Sequence, residues 1–426
     1  MDKKILFENI HSDKALRTID ETDIIEMLLV WGFIFELKEG LKNQSIHIVK
    51  NAIKRFIEHG LPFETSLKRR LFDPTEVINF MKWLDLTQQD FFWSDYVVPT
   101  GQKLVKSLAK KISGSQEGAT YTPSLSFTRA FNLLGLSLGK KMRLRIPTGI
   151  SESDLRNINI DFDGLNHWLA NNDGALSKHQ NYLQLNIVNF YLDSVRIHYD
   201  CIALYTQYKE PSSSETRLSP DEHHLYTQSV EGFIRVSDRI KKLSRTIAGH
   251  HPPNEQVHAL WGWIMDNMLI GLVHYHRIDK NNPMDWALDQ RIVDCQLGSA
   301  LLISFCRALG IPARLVGGYT LYSEAPSQHF WAQIWLPITG WCSYDLITWD
   351  LSRGGLLEDW RNIFEGNIDP RFITEIFPRN IIGNIGLPFP SRHHRLVSST
   401  GNGINIQYRE ADTGHSVYSD TISVSD

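Results

Sequence analysis

Between Val293 and Asp345 the sequence sets out a helix and three strands with little slack between them. Val293-Asp294-Cys295-Gln296-Leu297-Gly298-Ser299-Ala300 opens directly into an apolar helix that runs to Leu309. Gly310-Ile311-Pro312 stops it, because Gly accepts the conformation after a last helical turn and Pro cannot continue the helix. Strands are predicted at Arg314 to Tyr319, Gln328 to Leu336 and Trp341 to Asp345. The last two are joined by Pro337-Ile338-Thr339-Gly340, a hairpin-type turn. Any fold for this chain has to accommodate that run.

The same run carries three reactive side chains. Cys295 sits at a helix N-terminus, where unpaired backbone N–H groups and the positive end of the helix dipole favour a thiolate. A lone Cys there is more often a small buried residue, so its partners matter. His329 follows 34 residues later and Asp345 another 16. In an antiparallel hairpin, two odd-numbered residues share a face in every register that keeps one face buried. With the turn centred on Pro337, His329 and Asp345 stand directly opposite one another. An Asp beside His Nδ1–H fixes the tautomer and stabilises the imidazolium. Cys, His and Asp thus make a nucleophile, a base and an orienting group.

Asp294-Cys295 through Leu309-Gly310-Ile311-Pro312-Ala313-Arg314-Leu315-Val316-Gly317-Gly318-Tyr319 resembles the transglutaminase-like superfamily. His329-Phe330-Trp331-Ala332-Gln333-Ile334-Trp335-Leu336-Pro337 and Gly340-Trp341 to Tyr344-Asp345 extend the resemblance to all three core motifs, in order. Trp261-Gly262-Trp263-Ile264 and the strands before it carry it over about residues 140–390. It implies an α+β, papain-like catalytic core with Cys295, His329 and Asp345 as its triad. One departure is Val293, where the family often has Gly, so the shape of the cleft near the nucleophile is open. The backbone N–H of Cys295 is the natural first oxyanion donor. Gln290 and the indoles of Trp263 and Trp286 are candidates for the second, though each is more often a surface amide or a core indole.

The chain has 426 residues, which points to two or three domains. A helical N-terminal domain is expected over 1–115. Residues 46, 49, 53 and 56 are apolar at helical spacing before Gly60, and Asp73-Pro74-Thr75-Glu76 is a helix start. A β-rich subdomain is expected over 120–212, from the alternation at 142–146 and 195–205. The catalytic domain spans 218–390. It opens on the capping box Ser219-Pro220-Asp221-Glu222, and apolar residues at 233, 236, 240, 243 and 247 continue that helix to Gly249. A second helix is expected from Asn254 to Met268. The tail, 391–426, is rich in Ser, Thr, Gly and Asp and reads as weakly ordered. Lys+Arg 44 against Asp+Glu 48 gives a net charge of −4, which argues against a nucleic-acid partner. The apolar run Ile24 to Phe35 is short and contains Glu26, so it reads as a buried helix and not a membrane span. Four Cys without an export signal point to reduced thiols in the cytoplasm. No His pair joins Cys or carboxylates at a metal-site spacing, so no metal and no resident cofactor are expected.

The triad sets the chemistry, not the substrate. A thioester on Cys295 can pass its acyl group to an amine or to water, so an amide synthase and a cysteine peptidase or amidase both remain open. The helical domain, with Phe92-Trp93-Ser94-Asp95-Tyr96-Val97-Val98-Pro99-Thr100-Gly101, is similar to that of transglutaminase homologues in antibiotic assembly lines, the andrimid-type amide synthases. That second resemblance implies acyl and amino-acyl groups delivered as phosphopantetheine thioesters on acyl and peptidyl carrier proteins. Such carriers are acidic. Two rows of basic residues at helical spacing are candidate docks: Lys103, Lys106 and Lys110, and Arg239, Lys242 and Arg245. Eight of the twelve Trp fall between Trp261 and Trp360. Any that line the cleft would exclude water and favour an amine acceptor.

Overall fold

A computed structural model describes residues 19–21, 23–24, 41–87, 217–274, 277–279, 281–321, 328–348, 364–366 and 371–377, together with a set of strands outside those ranges. Lys103, Lys106, Lys110, the segment 92–101 and most of 24–35 lie outside the described residues.

Near the N-terminus, α1 (Leu41–Glu58) ends at Gly60, whose φ of +80° suits glycine. The hairpin β1 (Glu64–Ser66) and β2 (Arg69–Leu71) leads to α2 (Pro74–Thr87). The Asp73 side chain caps α2 by accepting the Thr75 N–H at 2.8 Å. The expected capping-box return from Glu76 is not made to Asp73. Glu76 instead meets His274 Nε2 at 3.0 Å, both side chains being buried.

The β-rich part has β3 (Thr120–Tyr121), β4 (Ser124–Asn132), β5 (Met142–Pro147), β6 (Asp154–Asp163), β7 (Leu176–Lys178), β8 (Tyr182–Ile187) and β9 (Ser194–Thr206). Strand β9 pairs with β3, β4 and β6, while β5, β8 and β7 form a separate sheet. Phe127 of β4 is wholly buried and packs its ring 5.3 Å from that of Phe372 in the C-terminal sheet.

C-terminal to β9, one expectation fails. The helix from Ser219 does not continue to Gly249. Its capping box forms as read, but α3 (Pro220–Tyr226) ends early. The hairpin β10 (Val230–Glu231) and β11 (Ile234–Arg235) intervenes, turning at Gly232 with φ +58°. Ser237 then caps a new helix, α4 (Asp238–Ala248). Joining the capping box directly to the apolar residues from 233 onward carried the reading across a glycine that the backbone uses to turn. Two pairings are described near and within the tail. The short strands β19 (Ile385–Gly386) and β20 (Ser399–Thr400) pair with each other. Residues Tyr418–Ser425 form β21, antiparallel to β4 along its length. Tyr418, Ile422 and Val424 keep a period-two pattern that the polar composition obscured.

The part from Pro253 onward is built around one helix. After α5 (Pro253–Asn267), β12 (Leu269–Ile270), α6 (Pro283–Gln290) and β13 (Ile292–Val293) comes α7 (Cys295–Ala308). Every α7 residue from Gln296 to Arg307 is buried, as expected of a helix apolar all round. It packs on a five-stranded sheet in the order β17-β16-β15-β14-β18. Those strands are β14 (Ala313–Thr320), β15 (Gln328–Leu336), β16 (Gly340–Tyr344), β17 (Glu365–Gly366) and β18 (Arg371–Ile376). Mixed helices and an antiparallel sheet around a central helix give the α+β core expected. Among the described residues no helix is long and apolar enough to cross a membrane.

Candidate active site

Cys295 is the first residue of α7 and is partly exposed. Asp294 caps the helix. Its Oδ1 accepts the N–H groups of Gln296 at 3.0 Å and Leu297 at 2.8 Å, and its carbonyl accepts that of Gly298 at 2.9 Å. The N–H of Cys295 takes no part in these bonds, which leaves it available to a developing oxyanion beside the thiol. Val293 is wholly buried in the core. A Cβ on Gly298 would come 2.9 Å from the Val293 side chain and 2.2 Å from Leu346. Glycine there lets the first turn of α7 lie against the segment that carries Asp345.

The hairpin register is Ala332 opposite Tyr344 and Leu336 opposite Gly340. The turn therefore centres on Ile338, not Pro337, and His329 and Asp345 are diagonal neighbours on one face. Asp345 lies just past the end of β16, where its N–H donates to the Phe364 carbonyl at 3.1 Å. A second correction concerns the imidazole. Nε2, not Nδ1, donates to Asp345 Oδ1, at 2.7 Å. Cys295 also acts electrostatically on the His329 ring, and with Nε2 engaged by Asp345 the nitrogen left to face it is Nδ1. Burial works against charge on His329, yet the Asp345 carboxylate and then the Cys295 thiolate outweigh it, and its pKa rises to about 10.

Asp345 is wholly buried, and its carboxylate is held at both oxygens. Oδ1 also accepts the Ile347 N–H at 2.9 Å. Oδ2 lies 2.7 Å from Nη1 of Arg371, the first residue of β18, whose side chain is 2% exposed. Burial alone would push the carboxyl pKa up. His329 and then Arg371 reverse that and hold it down to about 2. Arg371 stacks near Trp331, 5.4 Å from its ring centre. Sequence reasoning missed Arg371. Its one signal was a charged residue opening an otherwise apolar strand, Arg371-Phe372-Ile373.

The other candidates scatter. Trp263 packs edge-on against Phe305, ten residues down α7 from Cys295 and so about 15 Å along the helix. Arg291 covers its ring at 5.5 Å. The structure therefore does not bring Trp263 to the triad. Trp286 packs partly buried against the hydrophobic core, and Gln290 ends α6 two residues before β13. Trp261 and Trp331 are core residues, and Trp335 packs edge-on against Trp341 in the hairpin. Lys242 and Arg245 line a shallow hollow on α4 with Lys241, Asp238, Thr246 and His250. Arg239 is turned to Asp289, 2.7 Å away, and does not join them. Among the described residues no group of His, Cys, Asp and Glu could hold a metal ion.

A partly exposed Cys at the start of a buried helix, with a His and an Asp from the adjoining sheet beside it, is an arrangement of the papain-like kind. Residues 241–346 match the family model described as the transglutaminase-like superfamily, so the chain carries a transglutaminase-like domain. Solved structures share low similarity. A candidate cysteine protease from Cytophaga hutchinsonii is 12% identical, with 72% of this chain and 90% of that one covered at a TM-score of 0.38. The periplasmic domain of TgpA from Pseudomonas aeruginosa is 17% identical, with 61% and 95% covered at a TM-score of 0.30. No curated protein matches the sequence.

Proposed function

We propose that this protein is an acyl-transfer enzyme in which Cys295 is the nucleophile, His329 the acid–base and Asp345 the orienting anion. The observation that carries this is the His329 ring, set between the Cys295 thiol, which acts on its charge, and the Asp345 carboxylate, which it meets through Nε2 at 2.7 Å. The thiolate attacks the donor carbonyl carbon, forming a C–S bond as the carbonyl electrons move to oxygen. The N–H of Cys295 receives that oxyanion. Collapse re-forms the carbonyl and expels the leaving group, which takes the Nδ1 proton of His329. The product is a thioester. An acceptor then gives its proton back to Nδ1 and attacks the thioester, and breaking the C–S bond restores thiolate and imidazolium.

The acceptor in our reading is an amine, and the product an amide. Donor and acceptor arrive as phosphopantetheine thioesters on acyl and peptidyl carrier proteins in antibiotic assembly. Support comes from the hollow on α4, where Lys241, Lys242, Arg245 and His250 gather beside one carboxylate, Asp238, and fit an acidic carrier. The buried positions of Trp261 and Trp331 remove the water-excluding role foreseen for them. The test is to mix the protein with an acyl thioester on a carrier, with and without an amino-acyl carrier. Intact mass should show the acyl group on Cys295, and product mass should show amide. Rapid release of free acid regardless of amine would make the enzyme a hydrolase, and no adduct on Cys295 would remove the acyl-transfer reading itself.

A further inference from the structure

From the geometry we infer that Arg371 is a positioning residue for the triad: its guanidinium anchors Oδ2 of Asp345, so that Oδ1 stays aimed at His329 Nε2. The inference rests on the triad reading of the site.

Three observations lead there. The first is distance and burial: Nη1 is 2.7 Å from Oδ2, the Arg371 side chain is 2% exposed and that of Asp345 0%. A charge is not buried so completely without a use for its partner, because desolvation costs several kcal/mol per ion. The second is division of labour on one carboxylate. Oδ1 takes the His329 ring and the Ile347 N–H, while Oδ2 faces Arg371. Oδ1 is hydrogen-bonded and Oδ2 is in ion-pair contact, so turning the carboxylate away from the imidazole would also break the pair with Arg371. The third is delivery. Arg371 comes from β18, which pairs with β14, which pairs in turn with β15 and His329. Gly318 lies opposite both His329 and Ile373. A Cβ there would come 2.1 Å from the Phe372 carbonyl oxygen, so only glycine lets β18 approach closely enough to bring Arg371 over.

The charged groups acting on Asp345 are His329 and Arg371, and those acting on His329 are Asp345 and Cys295. Arg371 thus also balances charge. Thiolate, imidazolium, carboxylate and guanidinium sum to zero, and removing the guanidinium leaves a buried net anion. The anions of the site are then left without that counter-charge, which favours protonation around them.

The probe is iodoacetamide, which needs no substrate. Its rate of reaction with Cys295 is followed by peptide mass against pH, together with melting temperature, in wild type, Arg371→Met and Arg371→Lys. In Arg371→Met the acid limb of the rate profile should move up by about one pH unit or more. In Arg371→Lys, which keeps the charge but not the planar fork, that limb should stay within about 0.3 units of wild type while the melting temperature falls. A limb unmoved in folded Arg371→Met would overturn the inference and leave Arg371 a packing residue. Should Arg371→Met fail to fold, Arg371→Lys decides alone, since a limb that shifts although the charge is kept is also fatal. A wild-type profile like that of a free thiol, rising only near the ordinary cysteine value of about 8.5, would instead remove the triad reading and this inference with it.

Discussion

His329 meets Asp345 through Nε2, which leaves Nδ1 to face Cys295. The ring is thereby fixed between an anion wholly out of water and a nucleophile at the surface.

Asp345→Asn should lower the rate of thioester formation by about 10³–10⁴-fold, because an amide cannot stabilise the imidazolium and favours the wrong tautomer. It should also destabilise the fold by about 3–5 kcal/mol, since Arg371 loses its counter-charge in the interior. Single-turnover kinetics and denaturant unfolding check the two effects separately. Near-wild-type rates would show that Asp345 does not orient the ring.

Iodoacetamide at neutral pH should label Cys295 first among Cys295, Cys306 and Cys342. Cys306 is wholly buried, and burial pushes its thiol far above the ordinary range. Cys342 is buried in β16 with its sulfur 3.0 Å from Thr339 Oγ1. Peptide mapping at partial labelling gives the order, and equal labelling of Cys306 would contradict the packing of α7.

The pH dependence of stability comes from two opposite shifts. His329 has its pKa raised in the fold to about 10, so its contribution is complete below the unfolded value of about 6.5 and is lost as pH rises towards 10. Asp345 has its pKa lowered to about 2, so its contribution is complete above about 3.9 and is lost as pH falls towards 2. Both are whole between about pH 4 and 6.5. Melting temperatures should peak there, and the alkaline decline should vanish in His329→Gln. An unchanged alkaline decline in that variant would place its origin elsewhere.

Gly318→Ala should cost about 1–3 kcal/mol, because the new methyl meets the rigid Phe372 backbone rather than a flexible side chain. Gly298→Ala meets the end of Leu346, which can move, and should cost less. Thermal unfolding of the pair ranks them, and the reverse order would mean that β14 and β18 can part without penalty.

The triad was legible because its members lie within one compact run, on a capped helix and a short hairpin whose face parity survives a shift of register. Residues 329 and 345 stayed on one face although the turn moved from Pro337 to Ile338. The imidazole nitrogen facing Asp345 was not legible, since it depends on where α7 lies relative to the sheet. Arg371 was hidden for a related reason. It reaches Asp345 from two strands away from β15, and no local pattern sets that approach. Helix α6 offered a signal in Asn282-Pro283 with Asp285 in its first turn, a start of the kind recognised at Asp73 and Ser219. The break at Gly232 was overlooked because the capping box at Ser219 was joined directly to apolar residues from 233 onward, with the segment between them left unweighed.

Helix α2 grips the strand that leads towards the nucleophile. Lys82 Nζ donates to the Ile270 carbonyl at 2.8 Å, Asn79 bonds both the N–H and the carbonyl of Leu272, and Glu76 holds His274. β12 in turn pairs with β13, which ends at Val293. The stretch 241–346 that looks like a portable module is therefore sewn to residues far outside it, 188 positions away at Lys82. Exchanging that stretch between relatives would transplant Cys295, His329 and Asp345 while cutting the thread that sets their spacing. In this chain the unit that heredity could shuffle is smaller than the unit that physics holds together.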